Sequence, residues 1–169
     1  ALDGVTGCVM IIDTAGNLVY VNNALAEKFN VEQAHFIQSV PSFDPHNLLN
    51  SNISTLLTGQ VHQNLACLSS THKSNVKFSE LTFSIEINPV MNSEGSRLGC
   101  ILEWEDLTEK IDAECQIEGI ITQASNGDLN ARIDTGAFAG FQLIVARGIN
   151  LMLDKVIEPV NETQRVLEE

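Results

Sequence analysis

Apolar residues in the first two thirds of the chain come in short, turn-bounded blocks. Cys8 to Ile12 is a continuous apolar run, as in a buried strand, and Asp13 to Gly16 is turn chemistry. Leu18 to Val21 follows as a second strand, so the pair reads as a hairpin. Asn22 and Asn23 stand where a helix cap is needed, and Ala24 to Phe29 is a short helix with Leu25 and Phe29 four apart. Residues 41–60 are broken by Pro41, Pro45 and Gly59, with short apolar pieces at Leu48-Leu49 and Leu56-Leu57, which predicts short helices. A longer helix is expected over Val61 to Leu68, and a strand over Asn75 to Phe78. Leu81 to Ile87 alternates, placing Leu81, Phe83, Ile85 and Ile87 on one face of a half-buried strand that ends at Asn88-Pro89-Val90. Asn92 to Gly95 is a turn, and Arg97 to Trp104 is the last strand. Glu105 to Glu109 then places acids where a helix N-terminus favours them.

Beyond Glu109 the period changes. Ile117, Ile121 and Ala124 form a helical stripe, and Ser125-Asn126-Gly127 is a stop signal. Residues 128–140 read as a connector, and a second helix starts near Phe141. In it Leu143, Ala146, Asn150, Leu153, Ile157 and Val160 alternate spacings of three and four, a heptad seam with one polar member. Asn150 in such a seam sets register or partner number; on a slightly rotated helix it faces solvent instead. Two helices of this kind leave apolar stripes uncovered, and a parallel dimer giving four helices is the economical solution.

Charge narrows the functions available. The chain of 169 residues carries 22 acidic and 9 basic side chains, a net −13. It lacks a basic footprint for nucleic acid, and an anionic membrane surface repels it. No apolar run approaches the ~18 residues of a membrane span, and no secretory signal precedes the first strand. A chain beginning at Ala1 is expected to be a piece of a longer protein. Cys8, Cys67, Cys100 and Cys115 form no CxxC pair and read as small thiols in a reducing cytoplasm. No phosphate-binding glycine loop, HExxH, GxSxG or kinase signature is present, and His35, His46, His62 and His72 are too dispersed for a local metal motif. The expectation is a non-enzyme.

Val9 to Phe29, with Asp13, Gly16, Tyr20, Asn22 and Ala24 in place, resembles the opening of a PAS domain. Ile87-Asn88-Pro89-Val90, Glu94-Gly95, Leu98-Gly99 and Glu103-Trp104-Glu105-Asp106-Leu107-Thr108 resemble the PAS domains of soluble bacterial chemotaxis receptors. The resemblance covers residues 5–109. It implies an α+β fold: a five-stranded antiparallel sheet with short helices over one face and a ligand pocket between them. Asn126-Gly127-Asp128-Leu129, Arg132-Ile133 and Gly148-Ile149-Asn150, with Met152-Leu153, resemble the HAMP signal-relay domain. Residues 156–167 resemble the lead-in to another HAMP unit, with Pro159 at the junction; alternatively Pro159 kinks one continuous helix. The implied organisation is a PAS sensor over 1–109, HAMP-like helices over 110–158 and the start of a further relay helix over 159–169.

That resemblance frames function as cytoplasmic sensing and relay in a chemotaxis receptor, with a homodimer through the C-terminal helices and a downstream receptor signalling domain as partners. The parent protein is free to be membrane-tethered elsewhere. A ligand-free PAS acting as a dimerisation module in a receptor or histidine kinase is the alternative. Some PAS domains of this kind bind haem b, with an axial His on a short helix and a Trp on the last strand against bound oxygen. Trp104 matches that Trp, while the axial position falls at Leu57, which cannot ligate iron. His62 matches another family histidine and His46 lies upstream; either supplies an imidazole only if the loop is re-routed. FAD is a further cofactor that sequence does not exclude, and an empty or small-molecule pocket is a third outcome; a pocket packed by Leu56, Leu57 and Phe83 would support the ligand-free module. Asp106 and Thr108 resemble the motif that ties a PAS sheet to its exit helix, through short polar side chains bonding the backbone.

Overall fold

The structure is a computed structural model and describes residues 7–49, 51–57, 70–136 and 138–167. The chain divides into two compact units, Ala1–Thr108 and Glu109–Glu169.

The first unit is an antiparallel sheet of five strands: β1 (Cys8–Asp13), β2 (Leu18–Val21), β3 (His72–Phe78), β4 (Leu81–Met91) and β5 (Arg97–Asp106), in the order β2-β1-β5-β4-β3. Helices α1 (Asn23–Val31) and α2 (Gln33–Ser39) and a 3-10 turn at Ile53–Thr55 accompany it. The predicted alternation in β4 holds: Leu81, Phe83, Ile85 and Ile87 are all buried, as are their neighbours Cys100, Leu102 and Trp104 on β5 and Met10 and Ile12 on β1. One apolar core gathers these residues with Leu25 and Phe29 of α1, Phe36 of α2, Phe43, Ile53, Leu56 and Leu57. β1 and β5 lie so close that a Cβ at Gly99 would collide with the Ile12 carbonyl oxygen, so only glycine fits there.

Three strand boundaries differ from expectation. β3 opens at His72, before Asn75, and pairs with β4 as far as Ile87. β4 continues through Pro89 to Met91. Beyond Ile87 it has a ladder partner only in β5, the one-sided setting in which a missing N–H is tolerated. β5 does not stop at Trp104: Glu105 and Asp106 pair with Ser84 and Phe83, and the acids extend the strand rather than open a helix. Helix α2 follows α1 after a break at Glu32 and carries no predicted periodicity; Phe36 alone of its residues is fully buried. The helix expected over Val61 to Leu68 lies outside the described residues.

In the second unit, α3 (Thr108–Ser125) ends at the predicted stop, where Gly127 takes φ +94°. The buried stripe on α3 is Ala113 with Ile117 and Ile120; Ile121, expected in it, is 52% exposed. Ile117 and the half-buried Ala124 keep their predicted places, and Ile120 takes the one expected for Ile121. The last helix, α4 (Gly140–Leu167), runs through Pro159 as one element. Its Ala146, Leu143 and Ile149 pack with Ile133 and Phe138 of the connector. Asn150 is half-buried: its Oδ1 accepts from Ile133 N at 2.9 Å and its Nδ2 donates to Ile133 O at 2.9 Å. It thus binds a backbone edge of the connector instead of facing solvent.

Candidate sensing core and exit junction

The inner face of the sheet is filled by rings. Trp104 stands edge-on to Phe29 at 5.6 Å and to Phe83 at 5.7 Å, and stacks on Phe78 at 6.0 Å. Phe36 meets Phe29, Phe43, Phe78 and Phe83 at 4.7 to 5.7 Å. Edge-to-face and offset contacts at these separations are the favourable aromatic geometries. The sequence nominated Trp104 and Phe83, and the fold brings them together; Phe29, Phe36 and Phe78 complete the cluster without having been nominated. Within it the Trp104 indole N–H is buried and has no hydrogen-bond acceptor among the described residues. A buried donor left unmade costs about 1–3 kcal/mol, which an acceptor placed against it would recover.

Leu57, at the implied axial position, is fully buried in the same core. It is an aliphatic packing residue with nothing to offer iron. His46 is exposed, with its backbone N–H held in a turn by the Asp44 carboxylate at 2.9 Å. His62 lies outside the described residues. A cavity of about 140 Å³ opens beside the core, with Leu18, Phe43, Ile53 and Leu56 as its apolar lining and Asp44 and Asn47 among its polar residues. That is below the roughly 300–1,000 Å³ of pockets for drug-sized ligands. His35 on α2 is half-buried, with its Nδ1 buried and unpartnered among the described residues. The described residues nevertheless do not fit haem: Leu57 stands at the implied axial position and the rings occupy the interior of the core. Only a molecule of a few heavy atoms suits that cavity. Cys8 and Cys100 are free thiols whose pKa values burial pushes up, so they are protonated at neutral pH rather than poised as redox thiolates.

Two residues beyond Trp104, the last strand leaves the sheet through a set of polar contacts. One Asp106 oxygen accepts from Thr108 N at 2.9 Å, and the other pairs with Lys28 Nζ of α1 at 2.6 Å. Thr108 Oγ1 accepts from Thr82 N at 3.0 Å, while Leu107 N donates to Thr82 O at 2.8 Å. Asp106 and Thr108 both bond backbone at the strand exit; Lys28 and Thr82 are partners that local reading missed, since their pairing exists only once β4, β5 and α1 are assembled. Partial burial acts to raise the Asp106 pKa, but the Lys28 ammonium and the Thr108 bonds outweigh it and hold the carboxyl below its usual value. Lys28 is likewise held above its usual value, burial opposing but Asp106 and then Glu32 prevailing. Asn22 anchors the other end of α1. Its side chain accepts from Val9 N and Leu25 N and donates to Gly7 O.

A five-stranded antiparallel sheet with short flanking helices, its last strand feeding an exit helix, matches the PAS fold, the class of small sensory modules. No known family profile matches the chain. It is 31% identical over 169 residues to the methyl-accepting chemotaxis protein McpB of Pseudomonas aeruginosa, an alignment covering 99% of this chain and 25% of McpB. The chain thus spans about a quarter of that relative's length. Among solved structures it resembles the Aer2 receptor from Vibrio cholerae, a dual PAS-haem oxygen sensor, at 26% identity and a TM-score of 0.53, covering 64% of this chain and 100% of that one. Among the described residues no helix is long and apolar enough to cross a membrane.

Proposed function

We propose that the chain is the sensory and signal-relay part of a bacterial chemotaxis receptor. Its PAS unit senses a small ligand, a gas or a redox state, and its C-terminal helices act as a HAMP-like relay. The observation that carries the ligand half is the buried Trp104 N–H, unpaired among the described residues: a ligand presenting an acceptor atom gains a hydrogen bond there that the ring-filled core does not supply. The relay half rests on position. Trp104 lies two residues before Asp106, whose carboxylate organises the exit into α3. A ligand shifts such a system only by binding one of its two arrangements more tightly. The likeness to McpB supports the chemoreceptor setting, and the likeness to Aer2 supports a diatomic gas as the ligand class to test first.

A specific observation favours the second reading, a ligand-free PAS acting as an interaction module. Leu57 is fully buried and the ring cluster leaves no haem-sized space among the described residues. One experiment separates them: absorption spectra of the purified chain before and after haem reconstitution, with Trp104 fluorescence during titration with oxygen, nitric oxide and carbon monoxide. A Soret band abolished by His62→Ala restores haem and overturns the small-ligand reading. Fluorescence changes without a Soret band support it, and an inert, colourless protein leaves the ligand-free module.

A further inference from the structure

We infer that Lys28 is the positioning residue through which the aromatic core controls the exit junction, an inference that rests on the sensor-and-relay reading above. Adjacent residues of α1 hold the two ends of the same strand segment. Phe29, fully buried, abuts Trp104 at 5.6 Å, and Lys28 pairs with Asp106 at 2.6 Å. Trp104 and Asp106 are alternate residues of β5, so α1 spans both as one rigid body. Its first turn is pinned to β1 by Asn22, which is fully buried. Its last turn, where Lys28 sits, is therefore the end that moves when the ring beside Trp104 is displaced.

Lys28 also has a second partner, at the C-cap of its own helix. Glu32 Oε1 lies 3.4 Å from the ammonium, an i,i+4 pair. If α1 withdraws, Lys28 leaves Asp106 and keeps Glu32, so neither arrangement leaves the ammonium without a counter-charge. Withdrawal therefore costs the Asp106 pair but never leaves a bare ammonium, which lowers the cost of a second arrangement of the junction. Asp106, released, retains its bonds to Thr108, and the Thr82 contacts of Leu107 and Thr108 lose their brace.

The test is amide hydrogen exchange on the 169-residue chain at neutral pH without ligand, read at Thr82, Leu107 and Thr108 against Ile85 and Leu102 as core references. Lys28→Met is expected to speed exchange at the three junction amides by about two- to fivefold, the range of a partly exposed ion pair, with the references unchanged. Lys28→Arg restores protection, because it keeps the charge. The decisive comparison uses Phe29→Leu. It speeds junction exchange in the Lys28 protein and adds nothing in the Lys28→Met background, since the route is already cut. Equal effects of Phe29→Leu in both backgrounds overturn the inference, as does unchanged exchange in Lys28→Met. Because no ligand enters the measurement, a failure here is distinct from a failure to sense.

Discussion

At the scale of residues, three side chains carry the argument: Trp104, Asp106 and Lys28. Trp104 combines a large buried ring with an N–H unpaired among the described residues. Trp104→Phe shrinks the ring but removes the orphan donor, and the two effects oppose. The expected cost to the ligand-free protein is under about 1.5 kcal/mol in urea unfolding, smaller than an ordinary aromatic truncation. A loss of about 3 kcal/mol, the scale of a large cavity, would mean that the N–H is satisfied in solution. Asp106 makes a separate prediction in pH. Its folded carboxyl lies below the usual range, so its contribution is present above the unfolded pKa of about 4 and disappears as pH falls through the lower folded value. Lys28 is raised, so its contribution is present below about 10 and disappears as pH rises through the higher folded value. Asp106→Asn should therefore flatten the acid limb of stability below about pH 5 while leaving the rest of the profile in place. Identical acid limbs in wild type and Asp106→Asn would show that other carboxylates dominate. Trp104, Asp106 and Thr108 are legible in sequence because they sit within one short motif at a strand exit. Lys28 is not, because nothing local distinguishes a lysine that braces a distant carboxylate from one that faces water.

At the scale of elements, period and punctuation disclose most of the sheet. Alternation assigns the inner face of β4 residue by residue, and the Asp13–Gly16 turn places the first hairpin. Errors gather where tertiary pairing overrides local chemistry. Glu105 and Asp106 are good helix-start residues, yet β4 offers ladder partners to both, and the strand wins. Pro89 reads as a terminator, yet it falls beyond the end of β3 pairing and is accommodated. Helix α2 has too short and mixed a pattern to announce itself, though Phe36 makes it indispensable to the core. Gly99 shows what pairing demands in return. Gly99→Ala places a methyl on the Ile12 carbonyl, and backbone rather than a flexible side chain must move. The expected loss is about 1–3 kcal/mol, with separation of β1 from β5 reported by faster exchange at Ile12 and Ile101. Full stability in Gly99→Ala would mean that the two strands lie further apart than this register places them.

At the scale of the whole molecule, the two units differ in how completely they bury themselves. The sheet unit closes a continuous core around its rings. The helical unit has a smaller core, centred on Ala113, Ile133, Phe138 and Ala146, and its connector is held by Asn150 and by the Arg132–Asp154 ion pair at 2.7 Å. The predicted seam accordingly faces partly inward in its own unit, with Ala146 and Leu153 buried. What remains outside is a second apolar face on α4: Phe141 is 78% exposed and Ile144 69%, and Leu151 and Met152 are exposed as well. Ile144 and Leu151 are one heptad apart, so they lie on one line of the helix, the geometry of a coiled-coil contact. A second copy of the chain supplies an identical line, and a two-fold pair covers both at once. The expectation is a concentration-dependent dimer in sedimentation equilibrium, reverted to monomer by Ile144→Glu together with Leu151→Glu, with the far-ultraviolet helical signal of the monomer retained. A wild-type chain that stays monomeric at millimolar concentration removes the dimer from the proposed relay. It would also leave the Lys28 junction intact as a property of the sheet unit alone, because every contact in that junction lies within residues 28–108 of a single chain.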